Sequence, residues 1–459
     1  MTAFCEKLFL EEETSMHERS ILLVDTMNAL GFSKCEREIH RHECHLRDAL
    51  LNSYRTTDKF PIKTTESNSE GIIGGIYSNK SHHDHDLLFT SSNIKLLTLR
   101  TNNINNPPLL LLHENEDYDL YCLVEEDDNF PGYVKLSLAE EKNDYVYLDH
   151  CRRMNEDKLY LSNSMMRDII YEELIKSPKT SIPNDVQTNM FCDQKKGING
   201  PAYASHIKNY RVLSKTIDNV YCIHYEMWPN SAVSFITRRK PNNWPSNSLI
   251  ENIQSQGCDV VPVGHHDSQQ KDIQWRNSFP GEHSLLLDLT DVQILCYVLI
   301  KIILRENLNT SQREVVSSFH IKHVIFWCVE LCSCQWVDSN YINCLNICLT
   351  KLIQMIKARH IPHYIIESRN LFNSKMTEQM SKKIVDLFSK YDTTRVFTIA
   401  AFEHVLKSTY YNNLLLKHTA LISTIMACFS ACVSTFSVCV IYPSHFWDSY
   451  IPNNATKSC

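Results

Sequence analysis

Two aspartates lie one residue apart in Asp84-His85-Asp86, directly before the apolar run Leu87-Leu88-Phe89. Alternate residues on an extended strand share a face, so this pair sets two carboxylates at one point. Converging oxygens suit a hard divalent cation, Mg²⁺ or Mn²⁺, which keeps several waters and takes its other ligands from substrate phosphates. A third acid on a neighbouring strand would complete a clamp for phosphoryl or nucleotidyl transfer. Asp218, at the head of Asn219-Val220-Tyr221-Cys222, is placed to be that acid. His82, His83 and His85 crowd the pair. With no cysteine beside them they read as residues of a solvated loop, and no zinc is expected.

The elements that must carry these residues follow from periodicity. Residues 4–55 read as helices with a break at Gly31-Phe32-Ser33. Residues 56–82 are polar and hold three of the ten glycines between Gly71 and Gly75, which marks a loop. Short apolar runs follow, separated by Asn, Pro or acidic turns, as in a mixed sheet. Residues 155–175 read as a helix, 176–203 as a polar connector, and 218–224 as a further strand. From 284 onward apolar residues recur at three- and four-residue spacing, the pattern of packed helices. The expectation is an α+β, bilobal protein: N-terminal helices over 1–55, an α/β lobe over 56–280, a helical lobe over 281–415 and a hydrophobic tail over 416–459.

The loop before the aspartates reads Ser67-Asn68-Ser69-Glu70-Gly71. A Ser-x-x-Glu-Gly stretch followed by Asp-x-Asp resembles the Gly-Ser loop and acid pair of nucleotidyltransferases. The variant is that of the cyclic GMP-AMP synthase and male-abnormal-twenty-one (Mab-21)-like family, in its expanded molluscan branch above all. FPGYVKL at 130–136, Gly200-Pro201-Ala202, the Trp/Pro-rich stretch after Trp228, QWRNSF at 274–279, SSFHIKHVIFW at 317–327 and IPHYIIESRNLF at 361–372 fall in the same order. The resemblance runs from about residue 40 to residue 390. It implies a nucleotidyltransferase-fold lobe with a mixed sheet, followed by a helix-hairpin-helix/H2TH-like helical lobe. It also implies that Ser67 contacts phosphate and that Asp84, Asp86 and Asp218 hold Mg²⁺. Arg276 and Lys301 would meet nucleotide or phosphate, and Phe319 would stack on a base. The activity implied is joining nucleoside triphosphates into a cyclic dinucleotide in innate sensing, with a nucleic-acid activator in some members.

Three departures support a second reading. Glu66 stands where the signature has its first glycine, the segment from Gly71 to Asp84 is stretched, and Phe319 replaces a tyrosine. On that reading the chain is a catalytically inactive nucleotide-binding or protein-interaction scaffold, tethered to a membrane through residues 419–442. That segment carries no charge and is long enough to span a bilayer, and its seven Ser/Thr suit a buried terminal helix as well.

Composition excludes other classes. A hydrophobic fraction of 43% with 22% charged residues excludes wholesale disorder, and a net charge of −7 excludes a uniformly basic nucleic-acid binder. Eight acids sit between His113 and Asn129 with no Lys or Arg, which reads as a solvated hairpin. Acids where a secretory signal would be apolar point to a chain that is not secreted but faces the cytoplasm, with reduced thiols. Cys328, Cys332, Cys334, Cys344 and Cys348 therefore read as buried free thiols of apolar helices. Arg238-Arg239-Lys240 reads as a basic turn, and Trp228, Trp244 and Trp275 as packing residues.

Overall fold

The computed structural model describes residues 15–53, 62–65, 83–91, 94–97, 120–139, 151–154, 158–168, 197–207 and 215–389. The chain enters through α1 (Met16–Met27), whose first turn is closed by a reciprocal cap: Ser15 Oγ accepts from Glu18 N while Ser15 N donates to the Glu18 carboxylate at 2.9 Å. Gly31, at φ 95°, turns the chain into α2 (Lys34–Ser53), a conformation any side chain would strain. Both helices dock far along the sequence. Ile342 N donates to Ser20 Oγ at 3.2 Å, and the buried Arg37 guanidinium pairs with Asp291 and donates to Phe32 O.

The strands are β1 (Ile62–Thr65), β2 (His83–Ser91), β3 (Ile94–Leu97), β4 (Leu120–Glu126), β5 (Tyr133–Leu138), β6 (Cys151–Met154), β7 (Lys158–Leu161), β8 (Gly197–Asn199), β9 (Ala202–Ile207), β10 (Lys215–Tyr225), β11 (Cys258–Val261) and β12 (Gln274–Ser278). They form one mixed sheet whose main path among the described residues runs β1-β2-β10-β11-β12-β5-β4-β3. The sheet curls, because β3 returns to lie against β10, where Lys95 pairs with Glu226 at 2.6 Å. Sequence reading missed three pieces of it. β1 lies inside the stretch read as loop, pairing antiparallel with β2. β6 and β7 pair antiparallel where a helix from 155 was expected, and helical residues among those described begin at 163. The polar connector, read as 176–203, ends in β8 and the start of β9, a hairpin turned at Gly200 with φ 58°. In each case three to six residues pair with neighbours, too short a run for alternation to stand out.

The acidic stretch is also more than a solvated hairpin. From residue 120 it forms β4 and a tight turn, and Glu125, Glu126 and Asp127 are engaged by protein donors. Glu125 accepts from Ser137, Lys158 and Tyr160 at 2.7–2.9 Å, and burial, then this carboxylate, pushes the Tyr160 hydroxyl up to about 12. Glu126 receives the amides of Asn230 and Ser231, and Asp127 accepts from Gln274.

Between β10 and β11 lie α3 (Val233–Thr237) and α4 (Asn247–Ser255). After β12 the described chain turns helical: α5 (Gly281–Leu287), α6 (Asp291–Asn307), α7 (Thr310–Arg313), α8 (Ser318–Leu331), α9 (Tyr341–Ala358) and α10 (Glu378–Ser389). Their apolar faces make one core that continues into the sheet, with Trp275, Tyr297, Phe326, Tyr341 and Tyr364 among its largest fully buried side chains. Trp275 satisfies its indole N–H on Leu161 O at 3.1 Å, and Trp228 and Trp244 pack against the same core.

The basic turn after α3 is a lobe-joining element. Arg238 donates to the Glu330 carboxylate through Nε and Nη2, both at 3.0 Å, and to Tyr364 O through Nη1 at 2.9 Å. Its guanidinium also lies 4.5 Å from the Trp327 ring centroid and 4.7 Å from that of Tyr364. Glu330 is 1% exposed and takes the Tyr364 hydroxyl at 2.6 Å as well. Lys240 stands 3.6 Å from the same carboxylate, and burial beside Arg238 lowers its ammonium to about 8. A buried acid is thus surrounded by charge and hydrogen bonds.

Candidate functional site

The site begins with the pairing of β2 and β10. These strands run parallel and in register, with Asp86 opposite Asp218 and Asp84 opposite Thr216. Register partners in a parallel pair occupy the same face, and residues 84 and 86 share a face by strand alternation. The backbone therefore brings Asp84, Asp86 and Asp218 to one face at the N-terminal half of β2. Asp218 is half-buried there. Why β2 and β10 meet in this way is visible further along, where Phe89, Tyr221, Cys222 and Ile223 are buried and Thr90 Oγ1 lies 3.4 Å from Cys222 Sγ. The apolar halves of both strands fix the register, and their acidic halves follow.

A second grouping forms where β12 meets the helical lobe. Arg276 sits on β12 opposite Tyr133 of β5, and Phe319 occupies the first turn of α8. Between them lies Glu282 of α5, 7% exposed, with its carboxylate 3.2 Å from His363 Nε2 and 3.7 Å from Lys322 Nζ. Phe319 packs edge-on to His323 at 4.5 Å and lies 6.1 Å from His363, and Lys322 stands 5.4 Å from the Phe319 ring. Burial, then the charges of Arg369, Arg276, Lys322 and Arg238, holds His363 well below its usual range. Burial and His363 do the same to His323. Arg369, Arg276 and Lys322 thus all act on His363, and Lys322 also stands beside Glu282.

Glu282, His323 and His363 offer three ligand atoms within 4.8 Å of one another, the outline of a metal site. Hydrogen bonding argues against that use. His323 Nδ1 accepts from Tyr364 N at 2.9 Å, and His363 Nδ1 accepts from the amides of Ile365 and Ile366, both at 3.1 Å. A neutral imidazole that accepts at Nδ1 carries its proton on Nε2. Both Nε2 atoms therefore present N–H toward Glu282, and the lone pairs that a cation needs are taken by backbone. The cluster turns N–H groups toward the Glu282 carboxylate. His363 Nε2 stands 3.2 Å from it, and the buried His323 Nε2 has no hydrogen-bond partner.

Lys301 is carried by α6 with its ammonium 5.7 Å from the Tyr297 ring centroid. Ser67 and Glu66, the glycines between 71 and 75, and the tail over 419–442 lie outside the described residues. Among the described residues no helix is long and apolar enough to cross a membrane. Sequence reasoning passed over Glu282, Lys322, His323, His363 and Arg369. The available signal was the lodging of Lys322 and His323 inside the apolar run of α8, where an ionisable pair needs buried partners.

Comparison with known proteins agrees with this architecture. Residues 109–288 match the Mab-21 protein nucleotidyltransferase domain, and residues 293–389 match the Mab-21 protein HhH/H2TH-like domain. Asp218 and Arg276 fall in the first, Lys301 and Phe319 in the second, and β2 with its two aspartates precedes both. Protein mab-21-like 3 of Danio rerio is 24% identical over 180 residues, covering 37% of this chain and 43% of its own. Cyclic GMP-AMP synthase of Mus musculus is 22% identical over 254 residues, covering 51% of this chain and 47% of its own. The chain spans less than half the length of each of these relatives. With a curled mixed sheet leading into a helical lobe, and both domains matched in succession, the chain belongs to the Mab-21 family of nucleotidyltransferase-fold proteins.

Proposed function

We propose that this chain binds nucleoside triphosphates with a divalent cation between its sheet and its helical lobe, and transfers a nucleotidyl group to a second nucleotide. The observation that carries the reading is the in-register parallel pairing that sets Asp86 opposite Asp218, with Asp84 two residues away on the same face. Three carboxylates so placed are an all-oxygen donor set that fits Mg²⁺ or Mn²⁺ and does not fit a thiolate-seeking metal. When bound there, the cation would neutralise triphosphate oxygens and lower the pKa of an attacking hydroxyl.

The chain's own residues supply the rest. Arg276 and Lys322 bring positive charge to a buried region with one carboxylate, which favours a polyanionic ligand. Phe319 offers a ring for a base, Ser67 is the expected phosphate contact, and Lys301 is a further cation on the helical side. The mouse relative is named a cyclic GMP-AMP synthase, and a cyclic dinucleotide is the product class we assign here. Membrane attachment through 419–442 and gating by nucleic acid are further proposals. Of the basic turn, Arg238 and Lys240 are already held by Glu330.

A second reading is favoured by Phe319, which has no hydroxyl and already packs on His323 and His363. On it the chain binds nucleotide and catalyses nothing. One experiment separates the two: thermal unfolding of the full chain with ATP or GTP, with and without Mg²⁺, with products followed by mass spectrometry. A ligand that binds only the native state raises the midpoint once its concentration passes Kd. The proposal expects a Mg²⁺-dependent rise and a dinucleotide product, both lost in Asp218→Ala. A rise without product, lost in Arg276→Ala, supports the scaffold. No rise at millimolar nucleotide overturns both.

A further inference from the structure

The helical lobe holds a run of thiols whose geometry differs from one to the next. Cys296, Cys328, Cys344 and Cys348 are fully buried on α6, α8 and α9. Cys334 is not. It sits in the irregular segment 332–337 between α8 and α9 and is partly exposed. Two tight backbone contacts, Cys334 N to Cys332 O at 2.9 Å and Val337 N to Gln335 O at 3.0 Å, fold this segment back over the start of α9. As a result Cys334 Sγ lies 3.1 Å from Cys344 Sγ. Asn340 holds the arrangement by donating to Gln335 O at 2.8 Å, with its amide nitrogen 3.5 Å and 3.7 Å from the two sulfurs.

We propose that Cys334 and Cys344 form an oxidisable dithiol that hydrogen peroxide converts to an intramolecular disulfide. The sulfurs need to approach by only about 1 Å to reach the ~2.05 Å of an S–S bond, a rotation that a loop cysteine can make. Exposure assigns the roles. The thiolate of Cys334 attacks a peroxide oxygen, the O–O bond breaks, and a sulfenic acid and one water result. The sulfur of Cys344 then attacks the sulfenic sulfur and the S–S bond forms. The departing hydroxide takes up the second thiol proton as water, so two thiols and one peroxide give one disulfide and two waters. Burial and the neighbouring Cys334 thiol push the Cys344 thiol up, as suits the resolving partner, which reacts only once a sulfenic acid stands against it.

Zinc is the competing use of clustered cysteines and needs three or four ligands converging on a point. Among the described residues the groups that converge in this way are formed by His, Glu and Asp, with no cysteine. The 3.1 Å contact is a pair. The bond would tie segment 332–337 to α9. That segment carries Trp336 and forms one wall of a cleft of about 520 Å³ whose other walls include Trp244, Asp288 and Gln293. Oxidation would therefore fix one side of the cleft.

The test uses the full chain exposed to hydrogen peroxide, then alkylated and mapped by mass spectrometry. The expected result is a peptide pair joined through Cys334 and Cys344 with the loss of two hydrogens, reversed by dithiothreitol. Both thiols become closed to alkylation, and the oxidised protein melts at a higher temperature than the reduced one. Cys334→Ser abolishes the link and the rise in midpoint, and Cys332→Ser leaves both in place. Cys344 is wholly buried and its substitution can disturb packing, so Cys334→Ser and the mapped link are the deciding measurements. Cys334 left open to alkylation, Cys334 carried on to sulfinic acid without a link, or a bridge between Cys328 and Cys332 would each overturn the assignment.

Discussion

Replacing Arg238 with alanine should destabilise the fold by about 4 kcal/mol, because it strips a buried carboxylate of its main partner. Glu330 is 1% exposed and receives two hydrogen bonds at 3.0 Å from this guanidinium. Arg238→Ala also leaves Tyr364 O without its donor and the Trp327 ring without its cation. Breaking a buried pair from one side typically costs about 3–5 kcal/mol. Lys240, 3.6 Å away, limits the loss, and the missing guanidinium packing adds to it. A chain of 459 residues unfolds with an entropy of roughly 1 kcal/mol/K, so 4 kcal/mol corresponds to a fall of ~4 °C in Tm. The decisive control is the double variant Arg238→Met, Glu330→Leu. Removing both charges should recover most of the loss, with a coupling of about 2 kcal/mol or more across the cycle. A single variant melting within a degree of wild type, or strict additivity of the two changes, would refute the view that this buried pair joins the lobes.

Acid should unfold the protein early. His323 and His363 are held well below their usual range, so the unfolded chain takes up their protons first as pH falls below about 6.5. Stability present above that pH is then lost at up to about 1.4 kcal/mol per pH unit for each histidine. Urea midpoints between pH 7.5 and 5 measure the slope, and a flat profile would contradict it. His224 works in the opposite sense. Its hydrogen bond to Asp259 raises its pKa, so its contribution is complete below about pH 6.5 and fades above. His224→Gln should accordingly cost more at pH 6 than at pH 8.5 when the same midpoints are compared. Gly257 has φ 62°, and an added Cβ would meet Tyr225 O at 2.4 Å. Gly257→Ala should therefore cost about 2 kcal/mol or more in chemical denaturation. A variant as stable as wild type would show that the turn into β11 can relax.

Much of this arrangement can be read from the amino acids, and the reasons differ by element. The helices of the second half announce themselves because three or four turns of apolar spacing leave few other readings. Asp84, Asp86 and Asp218 are visible because acids beside apolar strand runs are unusual. Their alignment is not visible, since register depends on partners far away in sequence. Short strands such as β6 and β7 hide for the same reason: four residues carry too little pattern to compete with a helical one. The Glu282 cradle is the least legible. Its members come from α5, α8 and the loop before α10, and only packing of the helices shows that His323 and His363 face one carboxylate. The engagement of Glu125, Glu126 and Asp127 by protein donors was likewise hidden, because a run of acids looks the same whether it meets water or partners.

The pairing of β2 with β10 has a consequence for how the molecule acquires its acids and keeps them. Thr90 and Cys222, which meet across this pair, are 132 positions apart. Closing so long a loop is slow, and its entropy is recovered only when the surrounding sheet is largely in place. The three aspartates should thus come together late, after most of the strands between them have paired. A partly folded chain would then hold the three acids apart, so on the proposed function it would not yet bind cation or nucleotide. The same separation shelters the site over evolutionary time. Insertions between the paired strands of residues 92–214 would leave the acids in place, as long as the apolar halves of β2 and β10 still find each other.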